Sequence, residues 1–286
     1  MRIAKVAFIA FAALLTLSIT SCSNKPVEKE IGLQLYSVRE AMSADPVAAV
    51  TKVGEIGYSF GETAGYGDGK FYGMEPLEFK KLMNDNGMEF LSSHTGQACP
   101  DSSNWDEVMA WWDQCIDAHA AAGVKYIVQP FMDKKGYESL EGLKAYCDYF
   151  NAVGEKCAAK GIKFGYHNHS HEFDEIDGVR GYDFMLQNTD PEKVFFQLDL
   201  YWITVGGQDP VAYFNEYPGR FKLWHVKDET ELGGSDAIMD FEPIFAAAEI
   251  SGMEHYIVEV ERYHYDPMES VKMSYDFLMS CDFIKR

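Results

Sequence analysis

The sequence predicts a single (β/α)8 barrel, and three observations carry that prediction. Eight short apolar runs alternate with eight helix-length segments, and no long linker separates them. The runs are near-continuously apolar, as expected of parallel strands covered on both faces. The last four runs each deliver His, Asp or Glu at the C-terminal end: IKFGYHNHSHEF (162–173), VFFQLDLYW (194–202), FKLWHVKDE (221–229) and HYIVEVERY (255–263). In a parallel barrel the strand C-termini converge on one mouth, where the chemistry sits.

In chain order, the predicted strands are Ile31–Tyr36, Tyr58–Glu62, Met88–His94, Val124–Pro130, Ile162–His167, Val194–Leu200, Phe221–Lys227 and Tyr256–Val260. The predicted helices between and after them are Pro46–Ile56, Pro76–Asn86, Trp105–Ala122, Leu140–Lys160, Gly181–Asn188, Pro210–Tyr217, Phe241–Ile250 and Pro267–Met279. Asp45-Pro46 and Asp209-Pro210 place a capping carboxylate before a proline in the first helical turn. Asn86-Gly87, Ala122-Gly123, Lys160-Gly161 and Ser251-Gly252 supply the glycine that ends a helix and leads into the next strand. Trp105, Trp111 and Trp112 fall at helical spacing and are expected to pack against the barrel. No GxGxxG or GxxxxGKS/T follows the first strand, so no nucleotide cradle is expected.

The N-terminus reads as a targeting segment. Arg2 and Lys5 precede an apolar stretch, Val6 to Ile19, too short to span a bilayer but right for a signal sequence. It ends in Ile19-Thr20-Ser21-Cys22, similar to a bacterial lipobox. The expected organisation is a lipoprotein signal peptide at 1–21, a polar tether at 22–30 with Cys22 lipidated, and a barrel domain at 31–286. That makes an exported bacterial lipoprotein, anchored on the periplasm side or the cell surface, with the membrane touched only through lipid. About 260 residues remain, close to the ~250 of such barrels. Loss of Arg2 and Lys5 takes the formal net charge from −20 to −22. Such acidity argues against nucleic acid as a partner, and the mature arginines form no phosphate clamp. Five cysteines without CxxC spacing are not a disulfide framework, although one incidental bridge is compatible with export.

The strand ends point to one divalent cation. Asp199, His225 and Glu259 each interrupt an apolar run, where a charge is costly unless paired or metal-bound. Singly they read equally well as a helix cap, a satisfied core histidine and a partner of Arg262. At successive strand ends of one barrel they read as ligands. The fourth ligand is open: alternation puts His167 and His169 on one face, and Glu172 could reach back as ligand or base. Lys227 either donates to a substrate oxygen or pairs with Asp228 or Glu261. Glu261 is then acid/base or the lysine's partner. His94, Glu62 and Tyr36 close strands three, two and one as candidate substrate contacts. Trp202 and Trp224 are candidate platforms for the apolar faces of a sugar.

The order His167-Asn168-His169…Glu172-Phe173, Leu198-Asp199…Trp202, His225…Lys227-Asp228 and Val258-Glu259 resembles the sugar phosphate isomerase/epimerase superfamily, the xylose isomerase-like TIM barrels. The likeness runs from the GLQLYSVR first strand to the IVEVER eighth. It implies Mn²⁺, Co²⁺, Zn²⁺ or Mg²⁺ held at the ends of strands five to eight, with the last three ligands falling on Asp199, His225 and Glu259. The first falls on His167, where the family has glutamate, and Trp202 stands where sugar epimerases often have histidine. The resemblance implies an isomerase or epimerase that takes a proton next to a carbonyl, with Glu259, Lys227, Glu172 and Glu261 as the catalytic candidates. Its substrate is expected to be a non-phosphorylated carbohydrate, since phosphorylated sugars are scarce outside the cytoplasm. Losing the strand-five carboxylate puts a symmetric two-carboxylate exchange in doubt, and a lyase or hydratase on keto-sugars or 3-keto-glycosides is the runner-up reading. A phosphodiester-cleaving metal enzyme would want a basic groove, and a non-catalytic sugar-binding lipoprotein has no need of the three ligands together.

Overall fold

A computed structural model describes residues 29–284. The expected signal peptide, Cys22 and all but the last two residues of the expected tether lie outside the described residues. Every predicted strand forms at or beside its expected position. They are β1 (Gly32–Gln34), β2 (Phe60–Thr63), β3 (Glu89–His94), β4 (Tyr126–Gln129), β5 (Lys163–His167), β6 (Val194–Asp199), β7 (Leu223–Val226) and β8 (His255–Val258). Each pairs in parallel with its chain neighbours, and β8 returns to β1 to close the barrel. The register sets Asp199 beside His225.

The outer ring is built from α1 (Pro46–Ile56), α2 (Pro76–Asp85), α3 (Trp105–Ala122), α4 (Leu140–Ala158), α5 (Gly181–Asn188), α6 (Pro210–Glu216), α7 (Phe241–Ala246) and α8 (Pro267–Ser280). The capping carboxylates act as their spacing predicts: Asp45 Oδ1 accepts from the amides of Val47 and Ala48, and Asp209 Oδ1 from that of Val211. Gly123 ends α3 with a φ of 76°, a left-handed conformation that glycine adopts without steric cost. The helix expected to run to Ile250 instead stops at Ala246. The Ala247 amide bonds back three residues to Ile244, tightening the last turn, and a separate turn of helix follows at Ala248–Ser251. Lys29, at the end of the expected tether, donates to the carbonyls of Leu278, Met279 and Cys281, which fastens the chain before β1 to the end of α8. The five described cysteines are buried and free, so no bridge forms among them.

Two hairpins were not expected. Tyr66–Gly67 pairs with Lys70–Phe71 after β2, and Glu175–Ile176 pairs with Val179–Arg180 after β5. Their turns are Asp68-Gly69 and Asp177-Gly178, all four residues at positive φ. This is the chemistry of a tight two-residue hairpin.

The barrel interior is layered along its axis. An apolar plug of Phe60, Leu91, Tyr126, Val128, Phe195, Leu223 and Ile257 fills the lower end. Two glycines make room for it. A Cβ on Gly32 would meet the Phe60 ring at 2.0 Å, and one on Gly165 the Phe195 ring at 2.6 Å. Above the plug the inward side chains turn polar: Gln34, Glu62, Ser92, Gln197 and His225 are all fully buried. Polar groups at that depth need partners, and their pairing builds the floor of the mouth.

Candidate metal centre and active-site mouth

Four buried side chains meet above this floor. His167 from the end of β5, Asp199 from β6, His225 from β7 and Glu259 just past β8 each offer a ligand atom within 4.8 Å of the others. Three atoms here, His167 Nδ1, Asp199 Oδ2 and His225 Nδ1, are buried with no hydrogen-bond partner. An orphaned buried polar atom costs about 1–3 kcal/mol. Three converging on one point therefore fit a bound cation better than they fit an apolar packing site. His225 Nδ1 lies 3.2 Å from a Glu259 oxygen, but without the alignment of a hydrogen bond, and 3.9 Å from Asp199 Oδ2. The Asp199 carboxylate is divided between two tasks: Oδ1 accepts the Trp202 amide at 2.8 Å, capping a short helix at Leu200–Val205, and Oδ2 faces the cluster. Two imidazoles with two carboxylates suit Mn²⁺, Co²⁺ or Zn²⁺ better than the harder Mg²⁺.

Glu62 organises the layer beneath. Its Oε1 accepts from Gln34 Nε2 at 2.8 Å and His225 Nε2 at 2.7 Å; its Oε2 accepts from Ser92 Oγ at 2.5 Å and Gln197 Nε2 at 2.9 Å. His94 Nε2 lies 3.1 Å from Glu62 and 2.6 Å from Gln197 Oε1. Burial alone would raise the Glu62 carboxyl, but His94 and His225 outweigh it and hold the group well below the usual carboxylate range. An ionised carboxylate only accepts, so the Nε2 of His225 carries a proton and its Nδ1 is left for the cluster. This is the carboxylate–histidine support expected beneath a metal ligand.

Charge in the mouth is concentrated on β7 and β8. The buried Lys227 ammonium sits 2.6 Å from Glu261 and 3.5 Å from Glu259, so of the two expected ion-pair partners it meets Glu261 and not Asp228. Asp228 instead accepts the backbone amides of Glu229, Ile238 and Met239. Burial works against the Lys227 charge, but Glu259, Asp199 and Glu261 outweigh it and raise the ammonium. The Glu259 carboxyl is lowered, because Lys227 and His225 overcome the burial that would raise it. Asp199 moves the other way, pushed up by burial to about 7. His225 is raised to about 10, since the Glu259 and Glu62 carboxylates outweigh its burial. Burial, with His225 and His94 nearby, holds His167 neutral. At neutral pH, His225 and part of the Asp199 population thus hold protons that an incoming cation must displace. Titration calorimetry in buffers of differing ionisation enthalpy will show proton release on loading, with affinity falling as pH drops below about 10 and more steeply below about 7.

The remaining expected residues divide cleanly. His94 and Tyr36 line a cavity of about 430 Å³ above the cluster, together with His167, His169, Glu259 and Glu261. His169 is on the same face as His167, its ring 5.1 Å away, but it borders the cavity and is not one of the four clustered ligands. Burial lowers its pKa. Glu172 does not reach the cluster. Its carboxylate is buried, accepting Tyr166 OH at 2.6 Å and the His169 amide at 2.8 Å, so it braces the loop that presents His169. It groups instead with His169 and His171. Glu62 is fully buried under the centre and supports it rather than lining the cavity. Trp202 is half-buried at the edge of the site, with Lys227 and Arg262 over its ring at 5.7 and 5.9 Å.

Trp224 is not at the mouth. Alternation along β7 turns it outward when His225 faces in. It is fully buried and stacks on Phe214 of α6 at 4.9 Å and 1°. Trp224→Ala is expected to cost about 3–5 kcal/mol of stability by leaving a core cavity, read in a denaturant titration. Sequence reasoning also missed Gln34, Ser92 and Gln197, uncharged polar residues inside strands. It missed Tyr66 and Phe131 on the cavity wall. For Gln197 the signal was present: it lies two residues before Asp199, on the same inward face.

Fold and site together define a parallel (β/α)8 barrel with a candidate divalent-metal centre at the C-terminal ends of its strands. The chain belongs to the xylose isomerase-like TIM barrel family, whose model matches residues 50–281. Two crystal structures of sugar phosphate isomerase/epimerases from Parabacteroides distasonis are similar to it. One is 35% identical with a TM-score of 0.84, covering 90% of this chain and 100% of that one. The other is 32% identical with a TM-score of 0.85, covering 92% and 100%. An inosose dehydratase of Geobacillus thermodenitrificans is 26% identical over 156 residues, 46% of this chain and 52% of that protein. The chain spans about half the length of the curated relatives it matches.

Proposed function

We propose that this protein is a divalent-metal-dependent lyase of dehydratase type. It removes a proton next to a carbonyl of a non-phosphorylated carbohydrate and expels an oxygen substituent from the carbon beyond. The observation that carries this reading is the one-sided distribution of carboxylates. Glu259 and Glu261 both stand on the β8 wall, while the end of β5 presents His167 to the cluster. Exchange of a proton between two faces by paired carboxylates would need one on each wall; an elimination needs one base and one acid.

His167, Asp199, His225 and Glu259 would hold the cation. When bound it supplies Lewis-acid stabilisation of charge developing on the carbonyl oxygen. His169, kept neutral by burial, can accept the carbon-bound proton from the cavity wall. The carbon–hydrogen electron pair becomes a double bond conjugated with the carbonyl. The bond to the oxygen substituent breaks, and that oxygen leaves as water or an alcohol, taking the proton that His169 has just accepted. Lys227, paired with Glu261 at 2.6 Å, holds that carboxylate on the cavity wall. Among the residues lining the cavity are two carboxylates and no arginine or lysine, a wall that disfavours a phosphate ester. The inosose dehydratase likeness supports the elimination.

An isomerase or epimerase is the second reading, favoured by likeness to the two Parabacteroides distasonis structures. Metal-loaded protein incubated with keto-sugars and keto-glycosides in D₂O separates the two by product mass. Loss of water or an alcohol supports the lyase. Deuterium uptake alone supports the isomerase or epimerase, and no exchange on any substrate refutes both. We further propose that residues 1–21 direct export and that Cys22 carries lipid, on the strength of the basic start, the apolar stretch and the closing cysteine. Intact-mass measurement on the membrane fraction tests this: diacylated Cys22 supports it, and an unlipidated N-terminus refutes it.

A further inference from the structure

The mouth is divided into two unlike halves. Strands β5 to β8 bring the clustered ligands, Lys227 and Glu261. Strands β1 to β4 bring aromatic rings to the same cavity: Tyr36 after β1, Tyr66 in the hairpin after β2 and Phe131 after β4. Tyr36 and Phe131 are each 43% exposed, unusual for large rings beside a polar centre. Both are held in place. Gln34 Oε1 accepts the Tyr36 amide at 3.0 Å, and the Arg39 guanidinium covers one face of the Tyr36 ring at 4.8 Å. Arg39 is in turn fixed by Tyr263 OH at 2.5 Å. The Phe131 carbonyl accepts from the buried Gln129 Nε2 at 2.9 Å, and the same amide nitrogen donates to Gln97 O, clamping the loops after β3 and β4 together. With the Phe131 backbone clamped and one face of the Tyr36 ring covered before a ligand arrives, less freedom is lost on binding one, which favours a stacking platform.

We propose that the β1–β4 half is a second subsite, which takes the ring-bearing aglycone of a glycosidic substrate whose keto-sugar sits over the β5–β8 half. The proposal rests on the lyase reading and specifies its leaving group. The carbonyl end must lie by the clustered ligands, so the departing substituent points to the opposite half, where it meets Tyr36 and Phe131. A cavity of about 430 Å³ lies within the ~300–1,000 Å³ of sites that enclose multi-ring ligands. The elimination then balances with no oxidant: the carbon next to the ketone loses its proton, the glycosidic carbon–oxygen bond breaks, and the aglycone leaves as its alcohol beside an unsaturated keto-sugar.

The test is calorimetric binding of paired phenyl and methyl glycosides of common hexoses to the metal-loaded protein. The phenyl member of at least one pair is expected to bind roughly three- to tenfold tighter. Phe131→Ala and Tyr36→Ala are each expected to move that ratio toward one, with an unchanged melting temperature as the folding control. Equal binding within every pair, a ratio surviving both substitutions, or no binding of any glycoside overturns the subsite. Loss of water or an alcohol from a small keto-sugar or its methyl glycoside is scored separately. Such elimination without a phenyl preference defeats the subsite alone. A phenyl preference with no elimination from any keto-sugar defeats the lyase reading and leaves a ring-binding site.

Discussion

Asp199→Asn is expected to leave the barrel folded and to abolish divalent-cation binding at the candidate centre. The substitution is nearly isosteric, and an amide oxygen can still accept the Trp202 amide that Oδ1 accepts at 2.8 Å, so the cap on the Leu200–Val205 helix survives. What changes is the other atom. Oδ2, buried without a partner and facing the cluster, becomes an uncharged donor. Supporting groups around a metal are typically worth ~10–100-fold in affinity, so a ligand itself should exceed the upper end of that range. Metal affinity by calorimetry and proton exchange in D₂O should fall together, while the apo melting temperature stays within a few degrees of the parent. Asp199 serving only as a helix cap would leave both readouts unchanged.

Glu62 should give the second-largest effect, through a different route. Glu62→Gln keeps the shape but replaces one accepting oxygen with a donor among Gln34, Ser92, Gln197 and His225. His225 then faces a neutral amide in place of the carboxylate that fixes its proton on Nε2. A proton on Nδ1 blocks the ligand atom, and affinity is expected to drop about 10–100-fold. Glu62→Ala goes further, stranding these donors in the barrel interior. Removing one partner of a buried charged network costs about 3–5 kcal/mol, so this variant should be visibly destabilised in a denaturant titration. Loss of metal affinity in the glutamine variant with stability retained separates positioning of His225 from simple structural support.

The barrel was legible because its signals are local and repeated. Continuous apolar runs, carboxylate-proline starts such as Asp45-Pro46 and glycine stops such as Gly123 require only neighbours in sequence to act. The two hairpins were missed, although Asp68-Gly69 and Asp177-Gly178 are strong turn dipeptides, because their strands are only two residues long. Asp199, His225 and Glu259 stood out because each interrupts an apolar run at a strand end, and the structure brings them together. His167 could not be separated from His169, because alternation gives both the same face. The choice depends on where β5 ends, at His167, and the chain then turns. Trp224 looked like a platform for being next to His225, yet adjacent residues of a strand point to opposite sides. Glu62 ends the predicted second strand and looked like a rim residue. The depth that makes it a floor comes from the stagger of strands around the barrel, which no single strand sequence records.

One divalent cation is expected among His167, Asp199, His225 and Glu259, and anomalous diffraction from crystals of Mn²⁺-loaded protein would locate it. A single anomalous difference peak should appear there, at about 2.0–2.2 Å from one atom of each side chain, with His225 bound through Nδ1. A peak elsewhere in the mouth, or none between these four residues at saturating Mn²⁺, would contradict it.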